Sequence, residues 1–208
     1  MTKLIITIIL FTSSLIMNGQ TKFEQGMQKG MDFWKEGKTT EASALFERIA
    51  VAEPNSWLPN YYVALITTTT AFLTKDKEKI APLLQKAQST LDIELNKMPE
   101  NAELLVMQAM IYTAWIVADP MTNGMKYGNK TLEIYNRAEK IDPKNPRVVF
   151  CKAEFEIGGA QFWGTDIRPM CEQIEQSIEL FATFKPESAF HPSWGLDRAQ
   201  AALNGCKK

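Results

Sequence analysis

Histidine is nearly absent from this chain, and its scarcity excludes several kinds of site. The 208 residues contain one histidine, His191, in the segment Phe-His-Pro-Ser-Trp. A zinc site usually combines histidine with further Cys, His or acidic ligands, and a Ser–His–Asp triad needs a serine and an acid beside the histidine. The sequence around His191 has neither set of residues at the usual spacing. We therefore expect no catalytic residue, no metal and no cofactor, and we predict that the protein is not an enzyme.

The chain also lacks a surplus of charge and a phosphate-binding loop. Its 23 basic and 24 acidic residues give a net charge of −1 and a pI of about 6.0. Nucleic-acid-binding domains usually carry a basic patch, so we expect no nucleic-acid partner. The glycine-containing segment 158–164 lacks the Lys-Ser/Thr ending and the preceding strand of a P-loop. We interpret it as a break between two helices.

A long apolar run occurs only at the start of the chain. Lys3 precedes an almost unbroken apolar run from Leu4 to Leu10 that extends to Met17, and Gly19 is small enough to precede a cleavage site. The run is shorter than the roughly 20 residues that a membrane helix needs. We predict a signal peptide over residues 1–19, a mature chain over 20–208 in the periplasm or outside the cell, and no stable membrane span after cleavage. An uncleaved anchor is the alternative.

The chain has three cysteines, and the predicted export makes a disulfide between two of them possible, because disulfides persist in oxidising compartments. Cys171 lies near the start of a predicted helix, and Cys206 lies at the end of the last one. If these two helices are adjacent and antiparallel, the start of the first lies beside the end of the second, and the two cysteines are close together. We predict a Cys171–Cys206 disulfide and a free, buried Cys151, and three buried thiols are the alternative.

Prolines divide the rest of the chain into units. Pro54, Pro99, Pro143 and Pro186 each follow a helical pattern and are 45, 44 and 43 residues apart. Proline ends a helix, and a fixed period of this size is typical of a solenoid. Each proline is closely followed by a residue suited to cap the next helix. These residues are Asn55, Asn101, Asn145 and Ser188.

Counting back from each proline identifies a buried stripe, because helix positions four apart share a face. Large apolar residues stand eight positions before the prolines: Phe46, Leu91, Tyr135 and Ile178. Positions twelve before the prolines hold Ala42, Ala87, Thr131 and Ile174. The preceding helix of each unit has a small residue, which allows a close helix–helix approach: Gly30, Ala64, Ala109 and Ala153.

This pattern resembles the tetratricopeptide repeat. Gly30, Phe33, Ala42, Phe46 and Pro54 match its small, aromatic, alanine, aromatic and proline positions. The resemblance implies an all-α fold in which helical hairpins stack into a right-handed superhelix. We expect four hairpins, a C-terminal capping helix, and turns inside the second and third hairpins. The hairpins are expected at about 22–54, 57–99, 102–143 and 146–186, the cap at 192–206, and the turns at 75–79 and 119–124.

The resemblance also implies a binding surface, because the first helix of each hairpin lines the concave side of such a solenoid. The corresponding positions here are mostly apolar, which favours a groove for a protein or peptide. The alternative is that the longer hairpins bury these side chains as core. The candidate partner-binding residues are Met31, Trp34, Tyr61, Leu65, Val106, Met110, Phe150 and Glu154.

Two functions follow as hypotheses from this reasoning. The first is a non-catalytic scaffold or adaptor in the cell envelope, similar to small exported tetratricopeptide-repeat proteins of Gram-negative bacteria that have no assigned activity. The second is a carrier of an apolar small molecule, with a pocket enclosed by the first helices of the second, third and fourth hairpins. A closed pocket would favour the carrier, and an open concave groove would favour the scaffold.

Overall fold

The computed structural model describes residues 21–206, and its regular structure over that range is helical throughout. The predicted signal peptide lies outside the described residues. Between residues 21 and 206, no helix is both long enough and apolar enough to cross a membrane. The helices are α1 Lys22–Lys35, α2 Thr39–Ala52, α3 Leu58–Leu73, α4 Lys77–Lys97, α5 Ala102–Ala118, α6 Pro120–Ile141, α7 Pro146–Trp163, α8 Arg168–Thr183 and α9 Leu196–Cys206.

The helices pair as hairpins and the hairpins stack in chain order. α1 packs on α2, α3 on α4, α5 on α6, and α7 on α8. The first helices of successive hairpins also contact one another, since α5 packs against both α3 and α7. This row of first helices forms the inner layer, and α9 closes the stack against α8. The predicted all-α superhelix is thereby confirmed.

Contacts between equivalent positions show the repeat period directly. Lys97 Nζ donates to the carbonyl oxygen of Pro54, 43 residues earlier, at 2.9 Å. Arg198 Nη2 donates to Glu154 Oε2, 44 residues earlier, at 2.5 Å. Arg198 belongs to α9 and Glu154 to α7. α9 therefore takes the place of the first helix of a fifth hairpin.

Close approach within the first hairpin depends on a glycine. A Cβ atom at Gly30 would lie 2.6 Å from two ring atoms of Phe46. The Phe46 ring in turn stacks on Tyr62 of the next hairpin, with centroids 5.3 Å apart. Because the ring is held on both sides, it cannot move away from an added methyl group without disturbing α3.

Gly30→Ala is therefore expected to lower the free energy of unfolding by about 1–3 kcal/mol, as overpacking of a core does. Gly128→Ala is the matched control, because a Cβ there meets nothing within 4 Å and the position is also helical. The control should raise stability by up to about 1 kcal/mol through helix propensity. Urea titrations followed by circular dichroism measure both, and effects of the same sign would contradict the steric explanation.

Some helix boundaries differ from the sequence expectation. The predicted turn over 119–124 is reduced to Asp119, whose Oδ1 accepts a hydrogen bond from the Thr122 N–H at 3.1 Å, and Pro120 occupies the first helical turn of α6. The predicted glycine break is also wrong at its start. α7 continues through residues 158–163 and ends at Gly164, whose φ of 69° is the left-handed conformation that glycine adopts easily.

Candidate functional site

A segment near the C-terminus covers one side of the inner layer. We call residues 184–195, between α8 and α9, the strap. Tyr62 Oη donates to the carbonyl oxygen of Phe190 at 2.9 Å, and Trp194 Nε1 donates to Tyr61 Oη at 2.8 Å. The Phe190 ring meets Phe23 of α1 edge to face, with centroids 6.2 Å apart. The strap thus reaches back from the last hairpin to the first.

The strap and the core remove most of the predicted partner-binding residues from the surface. Met31, Trp34 and Glu154 are half-buried, and Glu154 pairs with Arg198. The other five are at most 4% exposed because they pack between stacked helices and under the strap, so in this conformation they have no surface to offer a partner. These five are Tyr61, Leu65, Val106, Met110 and Phe150. A partner contact at any of the eight stays a prediction.

A buried ion pair ties α5 to α7 beneath the strap. Arg147 is fully buried and Glu103 is 3% exposed. Arg147 Nε lies 2.9 Å from both Glu103 carboxylate oxygens, and Nη2 lies 2.5 Å from Oε1. Asn145 Nδ2 donates to the same Oε1 at 2.7 Å. The guanidinium also stacks on the strap residue Phe184, 4.5 Å from its ring centroid.

The single histidine belongs to this structural network. His191 is 8% exposed, and its Nε2 and Nδ1 lie 3.8 Å from carboxylate oxygens of Glu103 and Glu187 respectively. Its ring packs against Trp57 and Phe184, each with centroids 5.8 Å away. Burial opposes the charged form of Glu103, but the His191 ring and the Arg147 guanidinium hold the pKa of Glu103 below its usual value. His191 thus positions the strap.

A disulfide closes the strap into a loop. The sulfur atoms of Cys171, in the first turn of α8, and Cys206, at the end of α9, are bonded at 2.10 Å. This is the predicted pair. Cys151 is free and 2% exposed, and burial raises the pKa of its thiol. Within residues 21–206, no three His, Cys, Asp or Glu side chains are grouped to hold a metal ion.

Large apolar side chains are exposed where three hairpins turn. Leu73 ends α3, Met125 lies in the second turn of α6, and Trp163 ends α7, and they are 82%, 92% and 77% exposed. Because the hairpins stack in chain order, their internal turns lie along one side of the stack, and these side chains share that edge of the molecule. We call this surface the turn edge. It comprises Phe72, Leu73, Val117, Met121, Met125, Phe162 and Trp163.

Sequence reasoning did not identify the turn edge. Other exposed large apolar residues in the described part of the chain lie away from it, at Val51, Ile93, Ile141 and Leu196. A signal was present in the pair Phe162–Trp163, which stands beside a predicted helix break and outside any buried stripe. Apolar residues at a predicted turn are candidates for contact with a ligand or partner.

A cleft lies beside the turn edge, between α4 and α6, with α5 as its floor. Its volume is about 610 Å³. Gln88 and Gln108 bond to each other in both directions, at 2.6 and 2.8 Å, and the Tyr112 and Tyr127 rings stack with centroids 4.7 Å apart. Burial, with Tyr127 and Asp92 nearby, raises the pKa of Tyr112, so its hydroxyl stays protonated. The lining residues are Leu84, Gln85, Gln88, Asp92, Gln108, Tyr112, Trp115, Asn123, Lys126 and Tyr127.

Comparisons with known proteins bear on the fold. No protein-family model matches the chain, and no curated protein sequence matches it either. The HusA haemophore from Porphyromonas gingivalis is a similar solved structure, with 25% identity, a TM-score of 0.78, and coverage of 91% of this chain and 95% of that one. A thermophilic TPR protein from Thermus thermophilus, TTC0263, has 14% identity, a TM-score of 0.57, and coverage of 88% and 99%. In fold, the chain is therefore similar to tetratricopeptide-repeat proteins, as its repeat motif predicted.

Proposed function

We propose that this protein is an exported, non-catalytic carrier of a planar, largely apolar small molecule of the haem class, bound at the turn edge. The exposure of seven large apolar side chains at one edge carries this proposal. Large apolar side chains exposed together at one edge of a protein are candidates for a binding site. The similar structure that is named a haemophore supports the same class of ligand.

The composition of the turn edge suits a flat ligand. Trp163 and Phe162 offer aromatic rings, which stack on planar π-systems. Met121 and Met125 are unbranched and polarizable, so they adapt to the shape of a ligand. A macrocycle resting on these side chains would remove its own faces and theirs from water, and this burial supplies most of the binding free energy.

If the ligand binds at the turn edge, it does not need the concave side of the superhelix, which is lined by the first helices of the hairpins. The strap already covers that side through Phe190 and Trp194. The carrier hypothesis placed the pocket among the first helices of the second, third and fourth hairpins, whereas the turn edge lies at the turns of these hairpins. A carrier of this kind needs no catalytic group, since binding and release are its whole chemistry.

The proposal is tested by titrating the mature protein with haemin and with protoporphyrin IX, followed by visible absorption and tryptophan fluorescence. We expect both to bind the wild type. The triple variant Met125→Ser, Phe162→Ser, Trp163→Ser should bind at least about tenfold more weakly, because partial burial of three large side chains is worth more than about 1.4 kcal/mol.

A matched control removes exposed apolar surface elsewhere. Val51→Ser with Ile93→Ser changes residues that are 84% and 48% exposed and lie on the second helices of the first two hairpins. This control should leave both affinities unchanged. Failure of the wild type to bind either porphyrin, or equal weakening in the two variants, would overturn the proposal.

A protein-binding scaffold is the second candidate, because the inner layer already binds a non-helical segment, the strap, through the hydrogen bonds Tyr62–Phe190 and Trp194–Tyr61. The half-exposed Trp34 of α1 meets the ring of Tyr62, which donates to the strap, and the half-exposed Met31 lies one turn earlier on α1, so both would extend such a groove. Crosslinking in the native host, with photoreactive groups at these two positions, tests it. A single partner captured there, and not from Val51, would favour the scaffold.

A further inference from the structure

The turn edge and the cleft meet on one helix. The first two turns of α6 carry Met121 and Met125 of the turn edge, and they also carry Asn123, Lys126 and Tyr127 of the cleft. Residues 121 and 125 lie on nearly the opposite face of α6 from residues 123 and 127, and Lys126 lies between the two faces, about 100° around the helix from Met125. Of the cleft residues on α6, Lys126 is therefore the one that a flexible acid chain of a ligand lying on the methionines can reach.

The cleft differs from the turn edge in offering hydrogen-bond donors. Tyr112 and Tyr127 supply hydroxyls, and Gln108 Nε2 keeps one N–H beyond the one that it donates to Gln88. The acid in the lining, Asp92, already accepts a hydrogen bond from Gln88 Nε2 at 2.7 Å. The cleft therefore suits an anionic group of a ligand better than it suits an apolar ring.

Lys126 is the cation of the cleft. Its Nζ lies 4.7 Å from the centroid of the Tyr127 ring, so the aromatic face holds the ammonium group toward the cleft. No carboxylate of the described residues lies within ion-pair distance of Lys126, whereas Lys79 and Arg168 near the other two turns pair with Asp76 and Asp166. Lys126 thus keeps its charge available for an incoming acid group.

We propose that the cleft recognises carboxylate groups on the carried molecule through Lys126, so that the carrier selects planar ligands that bear acid groups over neutral ones. This inference rests on the proposed function, since it assumes that the apolar part of the ligand lies on the turn edge. The turn edge then supplies affinity through burial, and the cleft supplies orientation and discrimination through charge.

Two ligands that differ only in charge test the inference. Protoporphyrin IX has two carboxylates, and its dimethyl ester has the same macrocycle with none. We expect the diacid to bind about fivefold more tightly at low salt, which is the upper range for a partly exposed ion pair. The advantage should shrink when salt is raised to about 1 M, because the screening length falls to about 3 Å.

Variants assign the effect to one side chain. Lys126→Gln should weaken diacid binding about fivefold and leave ester binding unchanged, because only the charge is removed. Lys29→Gln is the matched control, since Lys29 also lies over an aromatic ring, 5.6 Å from the centroid of Phe33, but far from the cleft. It should change neither affinity.

The outcomes separate this inference from the proposed function. Equal affinity for diacid and ester, or equal weakening of both by Lys126→Gln, would overturn the role of Lys126 and leave the carrier standing. Absence of binding by both porphyrins would overturn the carrier itself. Selective loss of diacid affinity in Lys126→Gln alone is the supporting result.

Discussion

Glu103→Ala is expected to lower the free energy of unfolding by about 3–5 kcal/mol, the typical cost of breaking a buried ion pair from one side. The Arg147 guanidinium would remain fully buried without a counter-charge, and its Nη1 already has no hydrogen-bond partner. Asn145 Nδ2 would lose its acceptor as well. Urea unfolding followed by circular dichroism measures the loss.

Two further variants test whether the loss of stability comes from the charge of Arg147, which is left buried without a counter-charge. The double variant Glu103→Leu, Arg147→Met removes both charges and should recover most of the lost stability, because apolar pairs of similar size often replace buried ion pairs at little cost. Asp166→Ala removes one partner of an exposed pair, Asp166–Arg168, and should change stability by less than about 1 kcal/mol. A Glu103→Ala loss no larger than that of Asp166→Ala would contradict the buried-charge explanation.

The same residue predicts a pH dependence. The folded pKa of Glu103 is lowered from its ordinary value of 4.5. The unfolded chain therefore binds more protons in acid, so the stabilisation by Glu103 is present above about pH 4.5 and is lost as pH falls through the folded pKa. Because the double variant has no carboxylate at position 103, the wild type should lose stability relative to the double variant over that acid range.

Removing the disulfide is the second prediction with a large effect. The double variant Cys171→Ser, Cys206→Ser is expected to lose roughly 4 kcal/mol in the chain-entropy model, because the bond closes a loop between residues 35 positions apart. The strap lies inside that loop, so amide hydrogen exchange within residues 184–195 should accelerate more than exchange in α5.

Reduction provides the control for this prediction. Dithiothreitol should destabilise the wild type to the level of the double variant and should leave the double variant unchanged. Free Cys151 is common to both proteins and cancels in the comparison. If alkylation under denaturing conditions labels Cys171 and Cys206 without prior reduction, the bond does not form in the protein and the prediction fails.

Local signals in the sequence predicted the repeat because they act within a few residues. Asn101 and Asn145 cap α5 and α7 as expected, accepting hydrogen bonds from the N–H groups of Leu104 and Arg147 at 3.1 and 3.0 Å. Asn55 does not cap α3, which begins at Leu58 after Trp57. The Trp57 ring packs on His191, so a tertiary contact coincides with this shifted boundary.

The strap and the turn edge were not predictable in the same way. The strap depends on contacts such as Tyr62–Phe190 and Tyr61–Trp194, which join residues 128 and 133 positions apart and leave no local pattern. Burial of Tyr61 and Leu65 follows from those contacts and from the stacked helices. The turn edge depends on where α7 ends, and its continuation through Gly158 and Gly159 contradicted their low helix propensity.

The contact between Phe23 and Phe190 has a consequence for how the whole molecule comes apart. In an open repeat array each unit touches only its neighbours, so the ends can fray while the middle stays ordered. Here the opening and closing hairpins are joined across the inner side. Melting of one end must release the other, and the array should therefore unfold as a single cooperative body.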